Sequence, residues 1–314
     1  KLKKEDIEAI AICFLHSFVN PTHEEMVETI IKKEFPECFV SISSQILPQK
    51  REYERTSTTV INSYVGPPVS RYLSALIQKL KSSNVTNRLK VMQSSGGVLD
   101  ADSCLQKPAH IVECGPAAGV VGAEYIAKRS GFDNVITLDM GGTTAKASII
   151  EGGTYTLAEE YEVGGGMSSS SALVGKGGYA LKLPVIDIAE VGAGGGSIAW
   201  LDGVGSLKIG PESAGALPGP ACYGLGGERP TVTDANLVLG YLNPIGLAAG
   251  TVLIDKTISE SAIKKEIAEP MRLGLLETAY GIHSVANASM MRAVRAVTTY
   301  KGRDPRDFIL FAFG

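Results

Sequence analysis

One short stretch carries residue types that could do chemistry. Asp139 ends an apolar run and is followed by Gly141, Gly142, Thr143 and Thr144. Paired glycines let the backbone approach a ligand closely, and successive N–H groups with threonine hydroxyls form a concave anion site. A phosphate would fit this turn, with Asp139 holding a hydrated Mg²⁺ that bridges the phosphates. The same residues also suit a β-hairpin tightened by glycines, in which Asp139 is only a polar strand end, so residue types leave both interpretations open.

The elements on either side must position this turn. The apolar stretches 135–138 and 145–150 predict two strands, so the turn joins a strand to a strand. A second glycine cluster, with Gly194, Gly195 and Gly196, precedes a predicted strand at 198–201. These three glycines could face the same cleft and contact the same ligand. Alternatively, they mark a sheet crossing that needs bare backbone.

The rest of the chain alternates between strand and helix patterns, which indicates an α/β fold. A helix is predicted over 115–129, where glycines and alanines form a smooth face, and Gly131 would end it. A new strand pattern starts just after that helix. We therefore expect a domain boundary near residue 130, with one domain at 1–130 and a second at 131–314.

Composition excludes several classes of protein. The 314 residues are 44% hydrophobic and 20% charged, with a net charge of −3 and no basic block, so neither a nucleic acid nor an anionic membrane is an expected partner. No apolar run reaches about 18 residues. The five cysteines are scattered without a C-x-x-C pair, which predicts no disulfide framework or zinc site and favours a reduced, cytoplasmic setting. Both chain ends look like cuts, so we expect a fragment of a longer protein.

Other candidate residues have simpler interpretations. The second glycine cluster is not a dinucleotide fingerprint, because Ser197 stands where the third glycine should be. Cys114 begins a predicted helix, where a thiolate would be stabilised, but packing is the commoner role of a cysteine. Asp187 ends a predicted strand just before the second glycine cluster and could be a second acid, but a solvated strand end is the expected role. Asp234 is expected to cap a helix.

The form strand–Asp-x-Gly-Gly-Thr-Thr–strand resembles the phosphate hairpins of the actin, sugar-kinase and heat-shock-70 ATPases. Further stretches, spread over nearly the whole chain, resemble the hydantoinase A / 5-oxoprolinase family. The matching stretches are 55–62 (RTSTTVIN), 115–119 (GPAAG), 139–144 (DMGGTT), 191–200 (VGAGGGSIAW), 210–216 (GPESAGA), 218–224 (PGPACYG), 231–236 (TVTDAN) and 302–308 (GRDPRDF).

This resemblance implies a two-lobed ATPase fold with ribonuclease H-like lobes, incomplete at both ends, because the first phosphate hairpin and the adenosine turn of such ATPases are missing. We accordingly expect the isolated chain to be inactive alone and to bind ATP weakly. The implied cofactors are ATP and Mg²⁺ (or Mn²⁺), with Asp139 as catalytic residue and metal contact. The implied nucleotide contacts are Gly141, Gly142, Thr143, Thr144, Gly194, Gly195 and Gly196.

The resemblance also implies a function. Some family members open cyclic amides, and others add a carboxyl group to ketones. They activate the substrate by phosphorylation and work with a second subunit of hydantoinase B type in an oligomer. The leading expectation is a subunit of an ATP-dependent cyclic-amide hydrolase, and the alternative within the family is a ketone carboxylase. A kinase or chaperone-like ATPase of the same superfamily and a non-catalytic fragment are the remaining alternatives.

Overall fold

The computed structural model describes residues 2–163, 178–247 and 250–314. Most of the glycine- and serine-rich loop predicted from residue 164 to 178 lies outside these described residues. Contacts divide the chain into two compact units. The first unit comprises Lys1–Gly131 and Gly153–Asp187, and the second comprises Phe132–Gly152 and Ile188–Gly314.

Helices and strands are interspersed up to residue 129, whereas the described residues between 135 and 213 form strands and no α-helix. The helices are α1 (Thr22–Glu34), α2 (Ser43–Ile46), α3 (Glu52–Ser82), α4 (Ala101–Gln106), α5 (Cys114–Arg129), α6 (Val232–Val238), α7 (Lys256–Ile263), α8 (Glu269–Met271) and α9 (Leu275–Val297). The strands are β1 (Ala9–Ile12), β2 (Phe39–Ile42), β3 (Lys90–Met92), β4 (Val98–Asp100), β5 (Val135–Met140), β6 (Ala145–Glu151), β7 (Thr154–Tyr155), β8 (Leu157–Ala158), β9 (Tyr161–Val163), β10 (Tyr179–Leu181), β11 (Val185–Ile186), β12 (Ile188–Val191), β13 (Ser197–Leu201), β14 (Leu207–Ser213) and β15 (Ile309–Phe313).

The long helix α3 organises the first unit. It packs against the parallel pair β1–β2. Gly66 lies so close to the Phe39 ring that any side chain at that position would overlap it. The helix also runs without a break through Pro67 and Pro68.

The first unit includes Gly153–Asp187, which a boundary at residue 130 assigns to the second domain. The reason is packing. The side chains of Tyr161, Leu181 and Val185 join Ile61 of α3 in one buried apolar cluster. The Lys182 N–H also donates to Thr58 Oγ1 at 3.0 Å. These residues complete a core that the first 131 residues leave open.

The second unit contains four strands of one sheet, hydrogen-bonded in the order β12-β6-β5-β15. Strands β5 and β6 form the predicted antiparallel hairpin, with Met140 opposite Ala145 next to the turn. Strand β15 lies parallel to β5, and β12 lies antiparallel to β6. Helices α6, α7 and α9 supply the buried cluster that includes Val232, Ala235, Ile263 and Ile282. The hairpin is therefore held from both sides within its sheet.

Among the residues that the model describes, no helix combines the length and the apolar character needed to cross a membrane.

Candidate functional site

The hairpin between β5 and β6 places Asp139 beside an exposed turn. Side chains alternate along a strand, and the neighbouring Met140 packs on the helical core, so Asp139 points to the opposite face. Gly141 N–H donates to Thr144 O at 3.0 Å and closes the turn. Asp139 is half-buried. Within the described part of the chain its carboxylate has neither a hydrogen bond nor an ion pair, which leaves it free to bind a cation.

The turn also keeps two backbone donors free. Gly142 and Thr143 are both exposed. Among the described residues, neither of their N–H groups has a hydrogen-bond acceptor. Two adjacent free N–H groups suit an anion. The geometry is therefore compatible with the predicted phosphate site, and the contact itself stays a prediction.

Lys146, which belongs to none of the sequence motifs, lies beside Asp139. Register places Asp139 opposite Lys146, and Lys146 opposite Glu190, so the three residues form one row across β5, β6 and β12. Lys146 Nζ donates to Thr144 Oγ1 at 2.7 Å and to Glu190 Oε1 at 2.9 Å. The side chains of Lys146 and Glu190 are only 17% and 20% exposed. The spacing of Thr144, just before β6, and Lys146, on β6, could have indicated their contact. The pair with Glu190 depends on strand order.

The second glycine cluster lies directly against the hairpin turn. Gly195 N–H donates to Gly141 O at 3.0 Å, and Gly196 N–H donates to Gly142 O at 2.6 Å. Gly194 N–H donates to Ser197 Oγ at 2.8 Å. All three amides are thus engaged within the protein, so they would need to be released to serve as phosphate donors. The structure accounts for this cluster as bare backbone that supports the turn, and its direct contact with a nucleotide stays a prediction.

The backbone of the turn lies so close to this cluster that Gly194 and Gly196 must be glycine. A Cβ on Gly194 would lie 2.6 Å from the carbonyl carbon of Gly142 and from the nitrogen of Thr143. A Cβ on Gly196 would lie 2.9 Å from Gly142 O. Neither position has room for a side chain unless backbone moves.

The start of α6 supports the glycine cluster from behind. Thr233 donates to Gly195 O twice, from its N–H and from its Oγ1, each at 2.8 Å. Thr231 and Asp234 form a reciprocal capping box on α6, which confirms the prediction that Asp234 is a cap. The buried Asp234 carboxylate also accepts from Cys222 N–H at 2.8 Å and from Ser259 Oγ at 2.6 Å. A hydrogen-bonded series therefore runs from this carboxylate through α6 to the turn.

The end of β15 adds a further contact to the site. Register pairs Phe313 with Asp139, and Gly314 follows at once. A Cβ on Gly314 would lie 2.8 Å from Asp139 Oδ1. Glycine here keeps the surroundings of the carboxylate open.

Cys114 and Asp187, two other candidate residues, differ from Asp139 in their surroundings. Burial raises the pKa of the Cys114 thiol, although the backbone N–H groups of Cys114 and Gly115 act in the opposite direction. Burial thus opposes formation of a thiolate at Cys114. The expectation that Asp187 is solvated is wrong, because its residue is only 6% exposed. The Asp187 N–H donates to Thr156 O at 2.9 Å, so this residue is bonded within the first unit.

The donor set can be tested against a divalent cation. Among the described residues, no group of three or more His, Cys, Asp or Glu side chains could hold a metal ion by itself. One free carboxylate beside a turn with two free N–H groups fits Mg²⁺, which keeps several waters and takes its other ligands from substrate phosphates. The residues thus fit Mg²⁺ bound together with a nucleotide.

Comparison with known proteins identifies the class. The model of the hydantoinase/oxoprolinase family matches residues 55–314, and the model of the hydantoinase/oxoprolinase N-terminal region matches residues 1–35. The chain belongs to the hydantoinase/oxoprolinase family, as its motifs predicted.

Individual relatives cover the whole chain. It is 47% identical over its full length to the uncharacterized protein MJ0964 of Methanocaldococcus jannaschii. It is 37% identical, over 99% of its length, to the caprolactamase subunit alpha of Pseudomonas jessenii. These alignments take in 46% and 43% of the two relatives, so the chain spans less than half of their length.

Two solved structures confirm the α/β fold. Acetone carboxylase, in its nucleotide-free structure, matches with a TM-score of 0.84 and 30% identity. Its carboxylation of acetone is ATP-dependent. The ATP-dependent caprolactamase of Pseudomonas jessenii matches with a TM-score of 0.72 and 37% identity. Each match covers all of this chain and 43% of the other.

Proposed function

We propose that this chain carries a nucleotide-phosphate site of an ATP-dependent enzyme that opens cyclic amides, working as one subunit with a second subunit of hydantoinase B type. The observation that supports it most is the Asp139 hairpin, where a free carboxylate adjoins two free backbone N–H groups. The caprolactamase relative is named as an ATP-dependent enzyme and as a subunit. A caprolactam is itself a cyclic amide.

In this proposal the chain's own groups bind and orient the phosphates. The N–H groups of Gly142 and Thr143 donate to phosphate oxygens, and the Thr143 and Thr144 hydroxyls add donors. Lys146, whose Nζ lies 2.7 Å from Thr144 Oγ1, would add positive charge. Asp139 would hold Mg²⁺, which when bound neutralises phosphate charge. Fixed donors of this kind stabilise charge that develops in the transition state.

The reaction proposed for the intact enzyme starts at the amide oxygen. That oxygen attacks the γ-phosphorus of ATP, so an O–P bond forms and the bond to ADP breaks. Water then adds to the activated carbon, and the ring C–N bond breaks as the nitrogen takes a proton, which leaves an acyl phosphate. A second water hydrolyses this acyl phosphate to the carboxylate and free phosphate. A ketone carboxylase would instead phosphorylate an enol oxygen, and the acetone carboxylase match keeps it as the second candidate.

The test uses the gene product at its natural length, assembled with its second subunit. ADP release is measured with hydantoin, 5-oxoproline, caprolactam, and acetone plus bicarbonate. We expect one ADP for each ring opened with at least one cyclic amide. ADP release that needs both acetone and bicarbonate would replace the hydrolase by the carboxylase. No ADP release with any of them would leave a non-catalytic subunit and contradict the proposal.

A further inference from the structure

We propose that Glu190 is a positioning residue that holds Lys146 on Thr144 and away from Asp139, so that the Asp139 carboxylate stays free for a divalent cation. This inference rests on the proposed function, because it assigns a role toward the metal–nucleotide complex. Glu190 itself would touch neither phosphate nor cation. It would act only through Lys146.

The row across the sheet makes Lys146 the shared neighbour of two carboxylates. Residues directly opposite on antiparallel strands have Cβ atoms about 4.5–5.5 Å apart, and Lys146 lies opposite both Asp139 and Glu190. A lysine side chain can reach either neighbour. The structure shows its Nζ on Glu190 Oε1 at 2.9 Å. No ion pair joins it to Asp139 in the described chain.

The second contact of Lys146 fixes the direction of a hydroxyl. An ammonium group only donates hydrogen bonds, so Thr144 Oγ1 accepts from Lys146 Nζ at 2.7 Å. The single hydroxyl hydrogen of Thr144 then points away from the lysine. It remains available for an acceptor at the turn, such as a phosphate oxygen. Glu190 and Thr144 together use two of the three ammonium N–H groups.

The low exposure of the pair strengthens this arrangement. With side chains 17% and 20% exposed, Lys146 and Glu190 are less screened by water than surface pairs are. If the Glu190 charge is removed, the carboxylate that remains beside Lys146 in the row is that of Asp139. Lys146 should then turn to Asp139 and compete with the cation for that carboxylate.

Glu190→Gln tests this in the gene product at its natural length. The matched control is Glu151→Gln, which removes a carboxylate from the far end of β6, the strand that carries Lys146. There Arg303 Nη2 lies 2.9 Å from Glu151 Oε2. The first readout needs no nucleotide: a crystal structure of each variant. We expect Lys146 Nζ on Asp139 in Glu190→Gln, and in its original place in Glu151→Gln. Lys146 remaining on Thr144 in Glu190→Gln would overturn the inference.

The second readout is cation binding in the presence of ADP, with Mn²⁺ as the probe and free Mn²⁺ counted by electron paramagnetic resonance. We expect the Mn²⁺ dissociation constant to rise about tenfold in Glu190→Gln, which corresponds to about 1.4 kcal/mol. The double variant Glu190→Gln/Lys146→Met should regain the affinity of Lys146→Met alone, because the competing ammonium is gone. A loss of affinity that persists in the double variant would assign Glu190 a structural role and overturn the proposal.

These readouts separate the inference from the proposed function. If the wild-type protein binds no Mn²⁺ with ADP, the proposed function fails, and the crystal structures still decide whether Glu190 sets the place of Lys146.

Discussion

Replacing Gly194 by alanine should displace the turn that carries the candidate site. The added Cβ would lie 2.6 Å from Gly142 C, 2.6 Å from Thr143 N and 2.7 Å from Gly142 O. All three atoms are backbone, and non-bonded carbon contacts are optimal at about 3.5–4.0 Å. A shift of about 1 Å is therefore needed, either in the glycine cluster or in the turn. Because hydrogen bonds from Gly195 and Gly196 join the two, we expect the strain to reach both.

The magnitude follows from the cost of overpacking, which is about 1–3 kcal/mol. At roughly 2–4 °C per kcal/mol for a domain of this size, the melting temperature should fall by about 2–12 °C. A misplacement of about 1 Å at a reacting group can cost about 100-fold in rate, so kcat/KM for ATP should fall by about 10- to 100-fold.

The assay compares Gly194→Ala with Gly203→Ala by thermal unfolding and by ATP kinetics in the natural-length protein. Gly203 is the matched control, since a Cβ there would meet nothing within 4 Å. Equal melting temperatures and equal kcat/KM for the two variants would refute the close-approach argument.

Two further predictions concern buried polar groups. Thr233→Val removes the hydroxyl that donates to Gly195 O. The loss of about 1 kcal/mol should raise KM for ATP about fivefold. Thr233→Ser should retain the wild-type KM, and a wild-type KM in Thr233→Val would contradict this role. Burial raises the pKa of Glu24, but hydrogen bonds from Ser43 Oγ and from the Phe14 and Ser44 N–H groups outweigh it, so the pKa lies below 4.5. The carboxylate therefore stabilises the fold above about pH 4.5 and loses this effect as the pH falls through its folded pKa. Glu24→Gln should lower the free energy of unfolding at pH 7 by about 1–3 kcal/mol, and should flatten its fall between pH 5 and 3 in urea titrations; an unchanged pH dependence would exclude Glu24 as its source.

The sequence predicted the features that depend on local pattern. The apolar runs around Gly141 and Gly142 were enough for the β5–β6 hairpin, because alternation and glycine turns are local signals. The capping role of Asp234 was also predictable from its place at a helix start. The family followed from ordered motifs along the chain.

Features that depend on tertiary contacts were not predictable in this way. The pairing of Lys146 with Glu190 requires β12 to lie beside β6, and strand order is not written in local spacing. The burial of Asp187 and the packing of Tyr161, Leu181 and Val185 with Ile61 of α3 depend on which core those residues complete. For Gly194, Gly195 and Gly196, the sequence allowed either a ligand or a second backbone as the close neighbour. The described contacts include those with the backbone of the turn and with the side chains of Ser197 and Thr233.

The central claim is that the Asp139 carboxylate serves the nucleotide site and not the fold. Its most direct test is ATP turnover by Asp139→Ala in the natural-length protein, measured alongside thermal unfolding. Because the carboxylate is half-buried and has no partner among the described residues, we expect an unchanged melting temperature and a loss of ATP-dependent turnover of at least about 100-fold. Turnover at the wild-type rate in Asp139→Ala would contradict the account.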